Sequence, residues 1–111
     1  MDYKTIEAGG KSYRLSFTTN ALCQLEDKVD GVSLASMAVR RVNSFLRYMF
    51  WAALITHRPK TTLEEAGCIA DEYIKEQGGR KAALQLFKEL QEQAGIASED
   101  DDSKKAETPT E

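Results

Sequence analysis

The sequence predicts an α+β fold that is mainly α: an N-terminal β-hairpin, about four to five helices, and a disordered acidic C-terminal tail. Three observations predict it. A Gly9-Gly10 pair sits between two short runs that alternate apolar and polar residues. From Thr18 to Gly95 apolar side chains recur at three- and four-residue steps, punctuated by Ser, Thr and Gly at the places where helices start and stop. From Ser98 onward, SEDDDSKKAETPTE contains no large apolar side chain to offset the entropy lost on ordering. Residues 1 to 97 therefore read as a single domain and residues 98 to 111 as a tail.

The hairpin is expected over residues 2 to 7 and 11 to 17, where Tyr3, Thr5, Tyr13, Leu15 and Phe17 alternate with polar residues and the two glycines tolerate the positive φ of a tight turn. Two strands alone are marginal in water, so the pair must pack on helices or on strands of other subunits. Thr18 or Thr19 can cap the first helix, with Leu22, Leu25 and Val29 on one face and Gly31 at its end. Ser33 can cap the next segment, which carries Leu34, Met37 and Ala38. It either continues into the following helix or meets it at a kink near Asn43.

The run Val42 to Pro59 is the unusual one. Val42, Phe45, Leu46, Met49, Phe50, Ala53 and Leu54 form one helical face, while Tyr48, Trp51, Ala52 and Ile55 form a second, leaving a narrow polar strip that includes Arg47 and Arg58. A small domain offers a helix one core, so the second face is expected to meet another part of the chain or a partner. Pro59 stops the helix. Thr61 and Thr62 each precede a glutamate by three residues, the capping-box spacing, and Leu63, Ala66, Ile69, Ala70, Tyr73 and Ile74 give the next stripe. Gly67 within it predicts a close helix crossing. The last helix, about Arg80 to Ala94, buries Ala83, Leu86, Phe87, Leu90 and Ala94 between Gly78-Gly79 and Gly95.

The formal net charge of −3 is unevenly spread. The tail holds six of the 18 acids and two of the 15 bases, so residues 1 to 97 carry 12 acids against 13 bases. Residues 31 to 63 contain no acid, yet include Arg40, Arg41, Arg47, Arg58 and Lys60. No apolar run is long enough to span a bilayer, and the first residues lack the basic-then-apolar order of a secretory signal, so a cytoplasmic protein is expected. Cys23 and Cys68 read as reduced, partly buried side chains. With one histidine and two separated cysteines there is no zinc-ligand spacing, and no phosphate-loop, dinucleotide or serine-hydrolase motif is present. His57, at a helix end, reads as a partner for helix carbonyls. The chain is expected to be neither an enzyme nor a holder of metal or cofactor.

The basic block has two functional readings. As a nucleic-acid surface, its arginines would meet phosphates while Tyr48 and Trp51 stack on bases; the near-neutral body and the competing acidic tail make nucleic acid the weaker expectation. As a protein contact, the same residue types supply most interface hot spots. Arg40, Arg41, Arg47, Tyr48, Trp51, Ile55 and Arg58 are the candidate partner-binding residues.

A hairpin leading into FTTNALCQLEDKVDGVSL, then FLRYMFWAALITHRP, then TTLEEAGCIADEY resembles the small tail assembly chaperones of long-tailed bacteriophages and of gene transfer agents. The similarity covers roughly residues 9 to 95 and rests on Asn20-Ala21-Leu22 with Leu25-Glu26, Gly31, the Trp51 to Leu54 segment with His57, and Leu63-Glu64-Glu65-Ala66-Gly67. The resemblance implies a non-catalytic, self-associating protein of the host cytoplasm, absent from the finished virion. It implies binding to the long helical tape measure protein, which is kept soluble until tail tube protein polymerises around it. It also implies that the acidic tail ends the short form of a pair made by ribosomal frameshifting.

Overall fold

The structure, a computed structural model, describes residues 3–95; the tail expected from residue 98 lies outside the described residues. A two-stranded antiparallel hairpin, β1 (Lys4–Ala8) and β2 (Lys11–Leu15), precedes five helices: α1 (Thr19–Val29), α2 (Leu34–Arg40), α3 (Val42–Ile55), α4 (Leu63–Gln77) and α5 (Arg80–Gln93). The predicted class is the observed one.

Gly9 and Gly10 take φ of +59° and +81°, the pair of positive values that a two-residue turn matched to strand twist requires. The turn is fastened to α4, because the Gly9 N–H donates to Glu76 Oε2 at 2.9 Å. The register pairs Ile6 with Tyr13 and Lys4 with Leu15. The inward row of β1 is thus Ile6 and Ala8, both buried, whereas Tyr3 and Thr5, part of the alternation read from the sequence, face outward. With a period of two, an alternation displaced by one residue changes faces entirely.

Most helix boundaries follow local chemistry. Thr18 accepts from the Ala21 N–H, Ser33 from the Ser36 N–H, and Thr62 forms a full capping box with Glu65. These caps satisfy donors that a helix start otherwise leaves open, each worth about 1 kcal/mol. The break between α2 and α3 falls on Arg41, not Asn43. Arg41 has φ −137° and ψ 61°, yet its N–H closes α2 onto Met37 O and its carbonyl accepts the first bond of α3 from the Phe45 N–H. One residue therefore turns the chain without losing the bonding of either helix.

α3 is the axis of the molecule. Every residue from Met49 to Ile55 is buried. On one side α4 crosses it, with Arg47 Cδ only 3.3 Å from where a Gly67 Cβ would stand, so that the glycine permits the close approach its position predicts. On another, Phe87 of α5 sits among Phe50 (ring centroids 5.2 Å), Phe45 (6.1 Å) and Phe17 (6.5 Å). α1, α2 and β2 cover the rest. Ala83, Leu86, Phe87 and Leu90 of α5 are buried as predicted, but Ala94 lies past the helix and is exposed.

Where β2 leads into α1, three interactions join it to the end of α3. The Ser16 N–H donates to Ala53 O at 3.0 Å, Ser16 Oγ lies 2.9 Å from His57 Nε2, and the Thr18 and Thr56 hydroxyls are 3.2 Å apart. His57 thus binds a buried serine hydroxyl instead of helix carbonyls through its ring, with Tyr3 edge-on against it. The cysteines depart from expectation as well: both are unpaired and exposed, on the outer faces of α1 and α4.

Candidate functional site

The seven candidate residues divide into three groups. Trp51 and Ile55, on the second face of α3 expected to meet another part of the chain or a partner, are only 7% and 5% exposed. Trp51 donates its indole N–H to Thr61 O at 3.0 Å, and the Lys28 ammonium stands 5.4 Å from its ring centroid. Ile55 borders α1 beside Ala21 and Gln24. Both are core residues, and the expectation of a surface contact there is corrected. Other elements of the chain and the loop after α3 enclose its second half, so the second apolar face meets this chain itself.

Arg58, beyond the end of α3, stacks over Tyr13 with its guanidinium carbon 5.1 Å from the ring centroid. It borders a hollow shared with Lys11, Glu64 and Glu65, where the charges are mixed. Arg40 is exposed on the last turn of α2.

The third group comes together. Arg41, Arg47 and Tyr48 line one hollow of about 200 Å³ between the end of α1, α2 and the first half of α3. Lys28 reaches it from the last turn of α1, and Val29, Val32 and Met37 supply an apolar lining. Tyr48 is half-buried, with the Arg47 guanidinium 5.9 Å from its ring centroid, and Val32 is 43% exposed. Among the described residues no carboxylate lines the hollow; Asp27 and Asp30 flank Lys28 in the chain but do not border it. The result is three cations around apolar surface, with the aliphatic stem of Arg47 held against Gly67. Beside it α2 buries only Met37 among its seven residues and leaves Val39 83% exposed.

Lys28, Val32 and Met37 are the members that sequence reading missed as functional candidates. Lys28 lies outside the acid-free stretch and is joined to it only by the packing of α1 on α3. The usable signal was Val32 in the turn before α2, a helix with too few large apolar residues to be wholly covered.

The larger hollow, about 520 Å³ between α3 and α4, has Arg47 and Arg80 opposite Glu64 and Asp71, and Arg80 donates to Asn43 Oδ1 at 2.7 Å. Its charges offset one another. Among the described residues two titrations are perturbed, both away from these hollows. Burial pushes the Tyr73 phenol up, helped by Glu89 and opposed by Lys4. Hydrogen bonds from Lys4 and then Gln85 hold the Glu89 carboxyl below the usual carboxylate range. Among the described residues, no group of three or more His, Cys, Asp or Glu is placed to hold a metal ion, and no helix is long and apolar enough to cross a membrane.

Comparison of the chain with protein-family models, curated proteins and solved structures returns no match. The functional reading therefore stands on the residues and geometry above.

Proposed function

We propose that the protein is a tail assembly chaperone that covers acidic, amphipathic helical segments of a tape measure protein through the surface formed by the end of α1, α2 and the first half of α3. The observation that carries this reading is the hollow with Lys28, Arg41 and Arg47 around exposed Val32 and half-buried Tyr48, floored by buried Met37, with no acid among the described residues in its lining. An exposed amphipathic helix presents an apolar stripe edged by charge. Apolar surface shields the stripe, and the surrounding cations select acidic flanks and speed encounter. A long helical client offers many such segments, so several weak sites, on copies that also touch one another, hold it more firmly than any one. Recruitment of tail tube protein belongs to the same proposal and follows from the resemblance alone.

The test is co-expression with a tape measure protein, whose soluble fraction the wild-type chain should raise. Arg41→Glu combined with Arg47→Gln should reduce that rescue several-fold while leaving the melting temperature close to wild type. Arg41 ends α2 and begins α3, so a glutamate there gains at one helix dipole about what it loses at the other, and glutamine keeps the Cγ methylene that Arg47 sets against Gly67. Undiminished rescue by this variant would remove the surface assignment. Failure of the wild-type chain to rescue would remove the function.

The alternative, a small nucleic-acid-binding regulator, draws on the same cations. Burial of Trp51 takes away one of its two stacking residues. It requires binding to DNA or RNA that falls steeply with salt, which a titration at two ionic strengths measures.

A further inference from the structure

The cation-lined hollow has a ligand of matching charge in the same chain. Glu99, Asp100, Asp101 and Asp102 are four consecutive carboxylates, followed by Lys104 and Lys105. The end of α5 lies beside the start of α1, since Gln93 and Ala94 border the same hollow as Thr18 and Thr19. Lys28 is nine residues further along α1, about 14 Å at the helical rise. Extended chain covers about 3.4 Å per residue, so Glu99 reaches about 14 Å and Asp102 about 24 Å from Gly95. The chain is therefore long enough for the acidic run to reach Lys28, which shares its hollow with Arg41 and Arg47.

We infer that the Glu99 to Asp102 run occupies the Lys28, Arg41 and Arg47 hollow of its own chain and shields it until a client displaces it. This rests on the proposed function for the identity of the client, but not for the contact itself. The shield is matched in charge and mismatched in polarity. No large apolar side chain follows it, so exposed Val32 and half-buried Tyr48 remain without an apolar cover. A client carrying both acids and an apolar stripe makes every contact the run makes and adds those it cannot, which is the condition for displacement. A purely electrostatic contact also weakens as the screening length shortens with salt.

Paramagnetic relaxation on the full chain tests this without any client. Cys23 and Cys68, both exposed, are changed to serine, and a nitroxide is attached at Ser103→Cys. At low salt the amide signals of Lys28, Val32, Arg41 and Tyr48 should broaden selectively. The broadening should be lost at about 0.5 M salt and in the same labelled chain carrying Asp100→Asn, Asp101→Asn and Asp102→Asn. Uniform broadening, or none at these amides, would overturn the inference. So would broadening that appears only when an isotope-labelled chain without nitroxide is mixed with a nitroxide-bearing chain, because the occupant would then be a second copy. Selective broadening alongside failed client rescue would retain the self-contact and reject the proposed client.

Discussion

The two halves of α3 share one helix and differ in almost everything else. From Met49 to Ile55 every side chain is buried and the apolar content runs all the way round. From Val42 to Tyr48 only Leu46 is buried, and Arg47 and Tyr48 open onto the hollow that α1 and α2 help to line. The difference teaches that apolar side chains on two faces of a helix do not by themselves mark a binding surface. In the second half they mark an axis around which the chain is wrapped. In the first half the functional surface is made by fewer apolar groups, kept open by a short helix that covers little.

Phe50→Ala tests the contrast most severely. Phe50 is fully buried and contacts Phe87 and Tyr73, so the truncation should cost about 3–5 kcal/mol. Chemical denaturation measures it, and a loss under about 1 kcal/mol would mean that the second half is not the closed core described here. Trp51→Phe probes the corrected assignment. It keeps an aromatic ring but removes the indole N–H that Thr61 O accepts, with an expected loss of about 1–3 kcal/mol. Self-association and client rescue should be unchanged when measured below the shifted melting temperature; a variant with native stability and lost association would return Trp51 to the surface.

The smallest effect lies away from α3. The Lys4–Glu89 pair spans 2.9 Å between β1 and α5, and both side chains are partly exposed to solvent. Its folded pKa is depressed, so the unfolded state takes up its proton first as the pH falls. The stabilisation is present at neutral pH and disappears as acidification carries the solution through the folded carboxyl's own range. Solvent screening limits it to about a few tenths of a kcal/mol. Glu89→Gln should therefore melt slightly below wild type at neutral pH, with the gap closing in acid. A gap that widens in acid would contradict the sign.

Much of the fold was legible because it is written in neighbouring residues. Gly9-Gly10, the Thr18, Ser33 and Thr62 caps and Gly78 all act through bonds or dihedrals within a few residues of themselves. The candidate site was legible only in part. Arg41, Arg47 and Tyr48 were named and converge, but Trp51 and Ile55, named with them while packing within the chain stood as an equal alternative, lie inside, and Arg58 belongs to a different hollow. Helical spacing states which side chains share a face and is silent on what covers that face.

By itself, then, the sequence determined the elements, their order and nearly all of their ends, because turn and cap chemistry is local. Only tertiary packing decided that both apolar faces of Met49 to Ile55 are enclosed, that the chain turns at Arg41 where no proline or glycine requires it, and that Lys28 joins Arg41 and Arg47. Those outcomes depend on contacts between residues far apart in the chain, which no local pattern specifies.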